Sequence, residues 1–138
     1  MFFVKLLENF YMKFPPLSEE IKKFIVGIIP PLTLVIGILM TLAAVLDFLG
    51  TPILSAFTLG GGVSVIRDLL IIDVLGIAQG ILMIFAFRPL RAHHVSGWNL
   101  LFWSQVIWGI SSLLNFSPSF LIAVVFFYPL FQVKSHYR

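Results

Sequence analysis

With 138 residues, 59% of them hydrophobic and 11% charged, and a mean hydropathy of +1.05, the chain is too apolar for a soluble domain, whose apolar share is about 45 to 50%. A formal charge of +3 would suggest nucleic acid in a soluble protein. Here the basic residues flank apolar stretches and so face anionic lipid headgroups instead, while the absence of cysteine excludes disulfides, thiolate metal sites and redox chemistry through a cysteine pair.

The composition predicts one integral membrane domain over residues 1–138, all-α, because lipid accepts apolar surface only where backbone amides are satisfied within helices. Phe2, Phe3, Leu6, Leu7, Phe10, Tyr11 and Phe14 recur at helical spacing, with Lys5, Glu8, Asn9 and Lys13 opposite. Residues 1–14 therefore read as an amphipathic surface helix. At about 20 Å it is too short to cross a bilayer, so it should lie in the headgroup plane, turned by Pro15-Pro16. Its interleaved basic residues and lack of a small-residue cleavage site predict no removable signal.

Ser18-Glu19-Glu20 suits a helix start, the hydroxyl capping free amides and the carboxylates favouring the positive end of the dipole. The first transmembrane helix is predicted over about 21–48, kinked at Pro30-Pro31. Thr33, Gly37, Thr41 and Ala44 form a small-residue stripe that should face another helix. Asp47 and Gly50 are expected to end it, and Thr51-Pro52 to open a short outer interfacial helix from Ile53 to Leu59, stopped by Gly60-Gly61-Gly62. That glycine run lacks the Lys and Ser/Thr of a phosphate-binding loop.

Further transmembrane helices are predicted over about 68–88, 95–114 and 118–134, separated by the basic turn Arg88 to His94 and by Asn115-Phe116-Ser117-Pro118. The fourth is short, covering about 24 Å of a hydrocarbon core of about 30 Å. Trp98, Trp103, Tyr11, Tyr128 and Tyr137 lie mostly toward the cytoplasmic ends, as expected of interface anchors, Trp103 somewhat deeper. Eight of the nine Lys and Arg fall in alternate inter-span regions, with Arg67 alone in the others. That bias predicts four spans with both termini cytoplasmic.

Polar residues within the spans are the first places to look for function. Asp73, Gly76, Gln79 and Gly80 gather on the second span and Ser104, Gln105, Gly109 and Ser112 on the third. In an antiparallel hairpin Gln79 and Gln105 fall at similar depth and could hydrogen-bond. These residues read as interhelical packing or as a transport path with Asp73 as its ionisable group. His93 and His94 are adjacent and cannot chelate one metal as an i, i+4 pair does. His136 shares their side, so pigment or haem ligation at the surface is a second use for them. Phe3, Leu7, Phe10, Arg88, Arg91 and Lys134 read as a docking surface.

Ser96-Gly97-Trp98-Asn99-Leu100-Leu101-Phe102-Trp103-Ser104 and Tyr128-Pro129-Leu130-Phe131-Gln132-Val133-Lys134-Ser135 resemble small bacterial four-span membrane proteins of no assigned activity, some of them cyanobacterial. The resemblance lies mainly in residues 96–138. It implies a four-helix membrane fold in a bacterial inner or thylakoid membrane and supplies no site. The length also fits small multidrug transporters, but their pattern needs an embedded Glu in the first span, and no acid lies between Lys23 and Asp47.

The residues lead to a non-catalytic, multi-pass accessory protein that assembles or stabilises a larger membrane complex or a homo-oligomer. Its expected partners are the bilayer and other membrane subunits or copies of itself, with lipid or pigment as the expected ligands and no catalytic or metal residues. The alternatives are a small transporter or channel using Asp73, Gln79 and Gln105, and a pigment- or haem-binding subunit.

Overall fold

The computed structural model describes residues 2–57, 73–114 and 116–138, with side chains placed for 2–50 in the first of these segments. Five α-helices account for most of them: α1 (Phe2–Tyr11), α2 (Glu19–Phe57), α3 (Val74–Arg91), α4 (Val95–Leu114) and α5 (Ser119–Gln132), followed by a 3-10 turn, Lys134–His136. No strand occurs among the described residues. The expected Gly60-Gly61-Gly62 turn, and residues 67–72 ahead of Asp73, lie outside them.

The start of α2 follows from its first residues. Ser18 Oγ accepts the Ile21 amide at 3.4 Å, and Glu19 pairs with Lys22 at 3.3 Å, which satisfies an otherwise orphaned donor and places negative charge at the helix's positive end. The helix then runs unbroken through Pro30-Pro31. It also runs on past Asp47 and Gly50, through Thr51-Pro52 to Phe57, so those residues neither end the helix nor start a new one. Pro52 costs the ladder one amide, that to the Phe48 carbonyl, and the helix continues past it.

Two segments, Glu19–Gly50 of α2 and Val74–Arg91, are long and apolar enough to cross a membrane. The 20 residues of α4 are diluted by Ser96, Asn99, Ser104 and Gln105, and α5 has only 14 residues.

The helices pack in chain order, α2 on α3, α3 on α4 and α4 on α5, with α1 laid against α5. Small residues set the α2–α3 approach. A Cβ added to Gly80 would stand 2.9 Å from the Gly37 carbonyl oxygen and 2.9 Å from the Thr41 amide, and one on Gly76 would stand 3.3 Å from the Ala44 Cβ. The stripe on α2 thus faces the Gly76/Gly80 pair. Thr33 and Thr41 return their hydroxyls to the Ile29 and Gly37 carbonyls, both at 2.7 Å, so neither needs an interhelical partner. Against main-chain atoms Gly97 is tighter still, since a Cβ there would lie 2.4 Å from the Leu90 nitrogen.

The core is aromatic and lies toward the end that carries the termini. Trp98 and Phe102 are fully buried and stacked at 5.4 Å, with Phe131 edge-on to both. Tyr11 stacks on Phe131 at 5.6 Å. Trp98, Tyr11 and Tyr137 are therefore buried core residues rather than interface anchors. Each ring finds more apolar contact against the other helices than a headgroup layer would give it.

Candidate functional site

Two regions gather the residues with chemical potential. The first is the interior of the helix stack. Gln79 is buried, but among the described residues no hydrogen bond joins it to Gln105, whose Oε1 is buried without a partner. Gln105 faces instead into a groove of about 270 Å³ between α2 and α5, lined by Thr33 and otherwise by apolar side chains such as Ile29, Met83, Leu101 and Phe126. Ser104 Oγ is likewise buried and unpartnered, so it supplies no interhelical bond. Ser112 and Gly109 are buried on α4, where Gly109 lies against Ala123 of α5. Asp73 stands at the start of α3, a turn and a half from Gln79, with an interaction partner of its own.

The second region is the end where α1, the α3–α4 turn and the C-terminal tail meet. Lys134 is central to it. Its Nζ lies 2.5 Å from Glu8 of α1 and 5.2 Å above the Trp98 ring. Two residues on, His136 Nε2 approaches Glu19 at the head of α2 at 3.4 Å. The Arg138 amide donates to the His93 carbonyl at 2.8 Å, and the Val95 amide donates to the Arg138 carbonyl at 2.9 Å. Five residues of tail thereby touch α1, α2 and the α3–α4 turn. Tyr128 on α5 adds a hydrogen bond from its hydroxyl to the Pro15 carbonyl.

Electrostatics follow these contacts. The hydrogen bond and charge of Lys22 hold the Glu19 carboxyl below its ordinary value, with a smaller contribution from His136. Burial pushes Tyr137 up to about 12 and raises Tyr11 as well, because the phenolate is the form that burial disfavours.

Of the docking residues expected from sequence, Leu7 packs partly buried against the core and Lys134 is engaged with Glu8 and Trp98, so these two face inward. Phe3, Phe10, Arg88 and Arg91 remain exposed. Helix α1 docks through Val4, Leu7 and Tyr11 and presents Phe3, Leu6 and Phe10 outward, with Phe14 exposed just beyond it.

His93, His94 and His136 come together, lining one open pocket of about 460 Å³ with Ser135 and Arg138. Among the described residues no three His, Cys, Asp or Glu side chains are grouped to hold a metal ion. His93 has φ 57 and closes α3 in a Schellman arrangement, its amide bonded to the Leu90 carbonyl and the His94 amide to the Pro89 carbonyl. Glycine is the usual residue there, so the His93 backbone is held in a conformation that its own side chain disfavours. The tail brace had no signal in the sequence, where Lys134 to Arg138 reads only as a basic flank.

No family model, no curated protein and no solved structure matches this chain.

Proposed function

We propose that this chain is a multi-pass integral membrane protein, a four-span bundle with both termini cytoplasmic, and that it acts without catalysis to assemble or stabilise a larger membrane complex or a homo-oligomer. The observation that supports the reading is the inverted distribution of its surface. In their most apolar stretches only 17% of α2 and 28% of α3 is buried, whereas a soluble core helix of that hydropathy would be mostly enclosed. Leu39, Leu42 and Leu46 on α2, Phe85 on α3, and Leu121 and Val125 on α5 all point outward, while Thr33, Gln79, Ser104 and Ser112 are buried. Lipid or a partner's helices must cover that surface.

The placement of α3 to α5 as successive antiparallel neighbours, with α1 and the tail at one end, fits the charge bias that favours a cytoplasmic basic end. The reading is tested by alkaline carbonate extraction of expressing membranes, followed by in-membrane cross-linking from cysteines placed singly at Leu39, Leu42 and Leu46. Retention in the pellet with a discrete cross-linked product supports an assembly role. Release into the supernatant overturns the membrane reading, and retention without any product overturns the assembly role.

A further inference from the structure

At the basic end, α2 and α3 leave an open groove of about 350 Å³ that the packing described above does not use. Its inner wall is apolar and buried, formed by Val26 and Pro30, with Phe87 beside them. Arg91 and His93 line it too and are exposed, so they stand at its mouth. Gly27 keeps the groove open, since a Cβ there would meet nothing within 4 Å.

Two main-chain polar groups belong to residues of the wall. Pro30 and Pro31 have no amide hydrogen, so the carbonyls of Val26 and Gly27, four residues earlier, lack their helical donors. Both residues line the groove. Unsatisfied carbonyls at the edge of a membrane need donors from elsewhere. Among the described residues no ion pair engages Arg91 or His93, and of the two acids at the head of α2, Glu19 is committed to Lys22 and His136.

The geometry points to a binding site for an anionic glycerophospholipid whose head group carries hydroxyl donors, of the phosphatidylglycerol class. Its phosphate meets Arg91 and His93, its hydroxyls donate to the Val26 and Gly27 carbonyls, and an acyl chain runs along Val26, Pro30 and Phe87. Each part of that ligand answers one feature of the groove. A zwitterionic lipid brings a compensating cation to the same arginine, and a free phosphate leaves the apolar wall uncovered. The inference rests on the membrane reading given above.

The full chain in mild detergent is titrated with phosphatidylglycerol, phosphatidylcholine of the same acyl chains, and inorganic phosphate, with bound lipid read by native mass spectrometry. Phosphatidylglycerol is expected to bind, phosphatidylcholine and phosphate far more weakly. Arg91→Gln should weaken phosphatidylglycerol about tenfold, the usual effect of one lost charge-assisted hydrogen bond. Gly27→Leu should fill the groove and do the same, while the equally exposed Arg88→Gln should change little. Equal binding of the two lipids, or equal effects of Arg91→Gln and Arg88→Gln, overturns the site. Carbonate extraction separates the two levels. A chain that stays in the membrane yet shows no lipid preference refutes the groove alone, and a chain released by carbonate refutes the membrane reading and the groove with it.

Discussion

The indole Nε1 of Trp98 donates to the main-chain carbonyl of Leu130 at 2.9 Å. Leu130 belongs to the last turn of α5, whose carbonyls have no donor within the helix. A side chain from α4 thus caps the end of its neighbour from inside the core, and the same ring carries Lys134 on its face.

That double use predicts a graded response at position 98. Trp98→Phe keeps most of the ring but strands a buried carbonyl, which costs about 1 to 3 kcal/mol. Trp98→Ala adds a cavity among Phe102 and Phe131 and costs about 3 to 5 kcal/mol. Thermal unfolding in detergent, followed by circular dichroism, should rank wild type above Trp98→Phe above Trp98→Ala. An unchanged Trp98→Phe midpoint removes the capping role.

Glycine substitutions should divide by what surrounds them. Gly97→Ala sets a methyl 2.4 Å from the Leu90 nitrogen and 2.8 Å from the Pro89 carbonyl carbon, main-chain atoms that cannot rotate aside, and Gly80→Ala meets the backbone of Gly37 and Thr41. Each should cost about 2 kcal/mol or more through overpacking. At Gly50 nothing lies within 4 Å, so Gly50→Ala should stabilise by about 0.5 to 1 kcal/mol through helix propensity alone. The same unfolding assay reads all three, and equal effects at Gly97 and Gly50 contradict the close approach.

The contrast between those glycines also shows how much was legible in the chain. The stripe from Thr33 to Ala44 and the Gly76/Gly80 pair repeat at helical spacing, and periodicity of that kind states that two surfaces are flat. It does not state that they meet. The hairpin logic joined the second span to the third through Gln79 and Gln105, whereas Gly76 and Gly80 spend their flat side on α2. Local signals fared well where they act locally, as at Ser18. Asp47 to Pro52 carry stop and start signals that the helix overrides, because one missing amide does not break a ladder whose earlier turns are already packed on α3. Contacts made by the tail join residues distant in the chain, Glu8 and Lys134 by more than a hundred positions, and single positions of that kind leave no periodic trace.

The Glu8–Lys134 pair ties α1 to the tail, beside the apolar contacts of Val4, Leu7 and Tyr11. Both side chains are partly exposed, at 33% and 27%, so the ion pair itself is worth at most about 1 kcal/mol, with about 0.5 to 1 kcal/mol more from Lys134 over Trp98. Lys134→Ala should therefore leave the helix stack folded while loosening α1, seen as faster proteolysis after Lys13. Glu8→Lys should loosen it equally, and Glu8→Lys combined with Lys134→Glu should restore much of the protection. A double variant as labile as either single one rules out the direct pairing.

Tyr137 supplies a prediction in the opposite sense. Its ring is buried against His93 at 6.1 Å between centroids, and its hydroxyl has no hydrogen-bond partner. Desolvation raises it from 10.0 to about 12, so the folded state holds this proton more tightly than the unfolded state does. Its contribution is then complete below pH 10 and is lost as pH rises from 10 toward 12. Spectrophotometric titration of the folded protein should show a phenolate component near pH 12 that Tyr137→Phe deletes. Because the buried hydroxyl satisfies nothing, Tyr137→Phe should also raise stability at neutral pH by about 1 kcal/mol and make it less sensitive to alkali. A Tyr137→Phe variant that melts lower than wild type at neutral pH shows instead that this hydroxyl has a partner in the folded protein.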